Sequence, residues 1–492
     1  MADTPAPPPP GAPPPAPPAG AAAPSPELDV WQALREEFVA HAAWMDRAVV
    51  LSFAVLTGLA VVGFTLLAEA ASHAHAWLRD DAVPGGWGAG LMLLWTPLLT
   101  VAVLAWTRRF VPAALGSGIP QVVRAVDDEL TPGQRRWLVS PRVALHKIGL
   151  VSGGLLAGLS IGREGPTVQV GAGLMVGARR FLSRRSGIDD HDLMVAGAAA
   201  GIAAAFNTPL GGIVFGLEQL TRRRGLGHST LVIAVIVLAG LVAVAVFGNN
   251  SYFGRLRVQS LGWELLAPGL AVALVSGLLG GLFARLIVAS SAGLPDRFSR
   301  WRREHPLRFA AGCAFAVALI GLVSQGQTAG AGYAPTRALL EGQPLWGAEW
   351  PGLYTTLKFC ATWLSAWTGV PAGVFAPSLA VGAGIGHDVA TLAELGREAA
   401  IPLIALGMVG FLAATTQAPI TAFIIVMEMV SGHAMVLSLM ACSMVAAGVS
   451  RLVARPMYGQ LALRLPLPPP EPPAPAAADP SAPAAAPAAA PR

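Results

Sequence analysis

One pattern occurs twice in this chain. Gly162-Arg163-Glu164-Gly165-Pro166 runs on to Val170-Gly171-Ala172-Gly173, and 211 residues later Gly373-Val374-Phe375-Ala376-Pro377 runs on to Val381-Gly382-Ala383-Gly384. Both read GxxxPxxxVGAG. Downstream, Ala204-Ala205-Phe206-Asn207-Thr208-Pro209 leads to Glu218, and at an offset of 210 Ala413-Ala414-Thr415-Thr416-Gln417-Ala418-Pro419 leads to Glu428 with the same Pro-to-Glu spacing. One matched block can arise by chance in a chain rich in Gly and Ala. Two at nearly one offset indicate a duplicated half, an organisation common among transporters. The pattern leaves open whether the halves run parallel or inverted.

Composition decides the solvent. Of 492 residues 54% are hydrophobic and only 12% charged, with mean hydropathy +0.58. Soluble domains carry about 25% charged residues, so the chain is expected to be an all-α integral membrane protein rather than a soluble enzyme. The net charge of +5 is not gathered into a long basic tract, which excludes a nucleic-acid partner. Cys313, Cys360 and Cys442 are dispersed in apolar stretches without CxxC spacing, giving neither a disulfide framework nor a metal site.

Twelve of the 42 prolines fall in residues 1–26 and eleven in 466–492. These Pro/Ala runs lack the apolar side chains needed to offset ordering and are expected to be disordered tails, with no signal peptide and no folded domain after the last membrane segment. Residues 27–47 read as an interfacial helix. Residues 48–247 form the first membrane half and 264–465 the second.

Apolar runs near 48–70, 89–106, 143–161, 229–247, 264–288, 308–325, 350–368, 400–414 and 434–450 approach the roughly 20 residues that cross a bilayer. Shorter, Gly/Pro-punctuated segments near 118–126, 164–178, 194–205, 209–220, 375–389 and 419–430 mostly cannot span. Interrupted helices at membrane depth are tolerated where they line a cavity. Arginine clusters at 108–109, 135–136, 179–180, 184–185, 222–224 and 297–303 place their loops, and both termini, in the cytoplasm by the positive-inside rule. Loops near 71–87 and 326–349 fit the outer side.

Three Gly-rich elements open helices: Gly116-Ser117-Gly118-Ile119-Pro120, Gly162 to Pro166, and Gly373 to Pro377. Pro suits a first helical turn and Gly lets the backbone bend. Free N–H groups and about half a positive charge at such a turn bind anions. One such element alone reads as plain helix capping; three converging make an anion pathway without a full charge. Glu164 is a carboxylate inside a midplane turn. It can occupy the anion's own place and leave when protonated, or form a static salt bridge with Arg163 or Lys147.

GSGIP, GREGP and GVFAP in this order, with Tyr458 in Arg455-Pro456-Met457-Tyr458, resemble the CLC chloride channel and transporter family across roughly residues 45–465. The resemblance implies a dimer with one anion pathway per subunit, and two inverted halves with many tilted, non-spanning helices. It further implies that the hydroxyls of Ser117 and Tyr458 and the backbone N–H groups of Val374 and Phe375 bind chloride, with Glu164 as the gating glutamate. Chloride is then the transported ligand and no cofactor is needed. Ser117 in place of the Pro of nitrate-preferring relatives implies chloride, and the intact GSGIP argues against the fluoride-exporting branch.

One departure matters. Proton-coupled members carry paired glutamates after the Asn-x-Pro segment, whereas Asn207-Thr208-Pro209 leads here to Glu218-Gln219. Gln219 cannot exchange a proton near neutral pH, and a further expected inner carboxylate is Val123. The reading is therefore a channel-like or loosely proton-coupled chloride pathway, with a chloride/proton antiporter as the alternative, its inner proton route passing through water, Glu218 or His146. A cell (inner) membrane location is expected. An intramembrane hydrolase using Ser117 with His146 or His433 finds no HExxH or GxSxG support.

Overall fold

The computed structural model describes residues 41–82, 87–184, 186–221, 229–248, 252–254, 262–291, 295–347 and 349–469, and their regular structure is helical apart from one bridge of paired backbone. The first half runs through α1 (His41–Asp80), α2 (Gly88–Phe110), α3 (Ile119–Ala125), α4 (Pro132–Leu138), α5 (Pro141–Leu156), α6 (Glu164–Val176), α7 (Asp190–Phe206), α8 (Pro209–Phe215) and α9 (Ser229–Phe247). The second runs through α10 (Leu266–Ser291), α11 (Arg297–Glu304), α12 (Pro306–Val323), α13 (Tyr333–Glu341), α14 (Leu353–Trp367), α15 (Phe375–Leu392), α16 (Arg397–Thr416), α17 (Pro419–Met429), α18 (Val436–Val453) and α19 (Met457–Ala462).

Local chemistry sets these starts. Thr131 and Gln134 cap α4 reciprocally, each side chain accepting from the other's backbone N–H, and Pro132 occupies the first turn. Asp189 accepts from Asp192 N at 2.8 Å ahead of α7, and Asp296 accepts from Ser299 N at 3.1 Å ahead of α11. Among the described residues seven helices are long and apolar enough to cross a membrane. The most apolar window of α16 is 83% buried inside the protein, against 33% for α2, α9, α12 and α18. So α16 is a core helix, while the other four leave most of that window unburied by the protein.

The two halves meet about a local two-fold relation, visible residue by residue. Gly162 and Gly373, equivalent in the repeat, form an antiparallel bridge: Gly162 N donates to Gly373 O at 2.7 Å and Gly373 N to Gly162 O at 2.9 Å. Glu218, just after α8 in the first half, accepts from Ile420 N (3.2 Å) and Thr421 N (2.7 Å) at the start of α17. Glu428, in the last turn of α17 in the second half, accepts from Leu210 N (3.3 Å) and Gly211 N (2.8 Å) at the start of α8. Each half thus caps a helix of the other, where negative charge complements the exposed N–H groups.

The VGAG blocks are helix crossings. A Cβ on Gly171 would collide with the carbonyl of Gly197, and one on Gly382 with the carbonyl of Gly407, so α6 lies on α7 as α15 lies on α16. Small residues let membrane helices approach this closely.

Three expectations need correction. No break separates residues 41–47 from the first apolar run: both belong to α1, so the interfacial helix does not end at Arg47, and its portion 27–40 lies outside the described residues, as do residues 1–26 and 470–492. The stretch 71–80 is helix, not loop. Within 326–349 lies α13, whose N-terminus turns inward to Glu164.

Candidate functional site

The starts of α3, α6 and α15 converge. Gly116 and Gly118 have φ of +69° and +102°, left-handed values that an L side chain rarely adopts, and this bend exposes Ser117 between them. A Cβ on Gly165 would strike Ser117 Oγ, and one on Gly373 would lie 2.7 Å from Gly162 O and 2.8 Å from Pro166. The motif glycines are therefore where three helix starts touch. Ile119 and Pro120 bury the first turn of α3, and Pro166 and Pro377 lie in the first turns of α6 and α15.

Ser117, Val374 and Tyr458 line one cavity of about 630 Å³. The Ser117 and Tyr458 hydroxyl oxygens are both buried without a protein hydrogen-bond partner. Buried hydroxyls left this way mark a place for a guest. First-turn N–H groups have no intrahelical acceptor, so Val374 and Phe375 at the start of α15 add backbone donors. Among the described residues the same cavity is also lined by Arg108, Arg302, Arg303 and Arg464 and by no carboxylate. Such one-signed lining concentrates anions at its mouth. Among the described lining residues neither His146 nor His433 appears.

Glu164 is 0% exposed at the first position of α6. Its Oε1 accepts from the hydroxyl of Tyr333, while Oε2 is buried without a partner. Arg163 Nε lies 3.8 Å from Glu164 Oε1, but its guanidinium bonds to Glu69 Oε1 at 3.2 Å, Tyr252 Oη at 3.1 Å and Thr65 O at 3.3 Å. Lys147 is not a partner of Glu164. Its Nζ donates to Ala114 O (2.8 Å) and Gly116 O (2.7 Å) and holds the Ser117 loop. The carboxylate is thus not locked in a bidentate salt bridge.

Gln219 lies in a π-helical turn, Gly216–Leu220, with its Nε2 unpartnered. Glu218 beside it is committed to the start of α17. His146 Nδ1 sits 2.9 Å from Arg142 O on its own helix.

Sequence reasoning missed Tyr333 and Lys358 as parts of this site, and gave Lys147 a different partner. Lys358 Nζ donates to Thr328 O and Gly330 O, both at 2.9 Å, as Lys147 does in the first half. The signal was present: Lys147 and Lys358 are 211 residues apart, and Gly330-Ala331-Gly332 with Pro335 repeats the glycine spacing of Gly116-Ser117-Gly118. Gly330 and Gly332 also have positive φ, +63° and +87°.

Comparison with known proteins agrees with this architecture. Residues 99–451 match the family model described as voltage gated chloride channel. The chain is 29% identical over 439 residues to an H(+)/Cl(-) exchange transporter ClcA of Vibrio parahaemolyticus, covering 84% of this chain and 90% of that one. It is 30% identical over 431 residues to the ClcA of Vibrio cholerae, covering 83% and 87%. Among solved structures, a slow cyanobacterial Cl-/H+ antiporter superposes with a TM-score of 0.73 at 22% identity, covering 85% of this chain and 97% of that one. A CLC-type fluoride/proton antiporter gives 0.67 at 21%, covering 84% and 97%. The inverted two-half helical fold and the family match lead to one conclusion: this multi-pass membrane chain belongs to the voltage gated chloride channel, or CLC, family.

Proposed function

We propose that this protein exchanges chloride for protons across its membrane. The observation that carries the reading is Glu164: a wholly buried carboxylate at the start of α6, one oxygen held by Tyr333 and the other unpartnered, where three helix starts converge. A carboxylate there competes with chloride for the same electropositive turn and vacates it on protonation, which links the two ions. The exchanger names of the relatives support this reading over the channel-like one.

In the proposed cycle, chloride reaches Ser117 and Tyr458 through the arginine-lined cavity and is held by hydroxyl and backbone donors. No full charge is bonded to it, so release is fast. The arginine side faces the cytoplasm of a cell (inner) membrane, both termini included, and two copies form a dimer with one pathway each. Ser117 favours chloride over nitrate.

The test is proton uptake by proteoliposomes under an outward or inward chloride gradient, with the voltage set by potassium and valinomycin. Protons moving against their own gradient, driven by chloride alone, support exchange. Chloride flux with no proton movement overturns it.

A further inference from the structure

Arg108 belongs to two cavities. Besides the anion cavity it lines an open crevice of about 520 Å³ between the end of α2 and the start of α12. The charged and titratable groups on the crevice walls are Arg108, Arg109, Arg308, His305 and Glu304, so three guanidinium groups meet one carboxylate. All three arginines are exposed, and among the described residues none of them is ion-paired with a carboxylate. Like charges gathered in this way repel one another unless an anion lies between them.

The helices that carry them are apolar on their open sides. α2 and α12 pack together through Val103, Leu104, Ala310, Ala314 and Val317, and each keeps an exposed apolar stripe. Leu94, Leu98 and Trp106 share one face of α2 with Arg109. Leu322, Leu319 and Phe315 share one face of α12 with Arg308, again at helical spacing. Each stripe therefore ends in an arginine at the crevice. Trp106 also pairs with Phe110, their ring centroids 4.7 Å apart, and Trp sits by preference at the headgroup level of a bilayer.

We propose that this crevice binds the phosphate of an anionic phospholipid, whose acyl chains lie along the exposed stripes of α2 and α12. The planar fork of a guanidinium matches phosphate bidentately, and basic pockets between membrane helices hold anionic headgroups. A free phosphate would use the arginines but not the stripes, and it is the junction of the two that selects a lipid. Because Arg108 lines both cavities, the bound headgroup lies beside the mouth of the anion cavity. The site does not depend on which ions the protein exchanges.

The test is native mass spectrometry of the full chain in detergent, titrated with phosphatidylglycerol in competition with phosphatidylcholine. The unmodified protein is expected to retain phosphatidylglycerol in preference. Arg109→Gln combined with Arg308→Gln is expected to weaken that binding about tenfold or more, the scale of removing two basic side chains from a headgroup. Leu307→Glu, which puts a carboxylate on the crevice wall and keeps all three arginines, is expected to weaken it as well. The same charge removed from exposed Arg136 and Arg142, as Arg136→Gln with Arg142→Gln, is expected to change binding less than about twofold. No preference for phosphatidylglycerol in the unmodified protein, or unchanged binding in either crevice variant, overturns the site. Equal weakening by the Arg136/Arg142 variant overturns it too, because general surface charge then accounts for the binding. If the double crevice variant does not fold, Leu307→Glu decides alone. Displacement of the lipid by glycerophosphoglycerol, the same headgroup without acyl chains, at equal concentration would show a free-phosphate site and overturn the assignment to a lipid.

Discussion

Glu164 sits in the first turn of α6 and accepts from the Tyr333 hydroxyl, and in the proposed cycle it competes there with the anion. Glu164→Ala is expected to abolish proton coupling while chloride still flows; loss of chloride flux, measured with a chloride electrode, would contradict the gate. In the proposed cycle the Ser117 hydroxyl, buried without a protein partner, donates to chloride. Ser117→Pro removes that hydroxyl and should raise nitrate flux relative to chloride, and an unchanged anion ranking would exclude position 117 from selectivity. These residues were legible because Gly and Pro flank them at fixed spacings, which reports helix starts directly. Tyr333 was not, since its counterpart loop replaces Ser117 by Ala331 and lies 214 residues from the first rather than 211. Lys147 looked like an ion-pair partner of Glu164, because sequence cannot show that backbone carbonyls satisfy it.

At the scale of elements, the two halves exchange caps: Glu218 serves α17 and Glu428 serves α8. Removing one side chain strands two N–H groups at a helix start, each costing about 1–3 kcal/mol when buried. Glu428→Ala is therefore expected to lower the melting temperature in detergent, and Glu428→Gln, which keeps an acceptor, to lower it less. An equal loss in both would show that packing, not capping, is at stake. The matched Pro-to-Glu spacing made the repeat visible from sequence, but not that each glutamate reaches across to the other half. Most apolar runs became helices with nearly the expected bounds. The join at Arg47 was misplaced because a polar face fading into an apolar run gives no helix-breaking residue, and α1 continues through it.

Across the whole molecule, charge is sorted in space. Among the described residues four arginines and no carboxylate line one cavity, while Asp127, Asp128, Arg124 and His191 line another of about 310 Å³, and residues of the short helix α19 line both. Hydropathy identified a membrane protein, and arginine clusters gave a side to its loops. Neither could reveal the two cavities, because Arg108, Arg302 and Arg464 come from distant parts of the chain. The exchange reading has chloride and protons compete for one group, the Glu164 carboxylate at the start of α6. The reversal potential tests that claim most directly: the zero-flux voltage of the reconstituted protein, measured at a fixed chloride gradient while the pH gradient is varied. Exchange requires that voltage to shift with the pH gradient. A voltage that stays at the chloride equilibrium potential whatever the pH would contradict it.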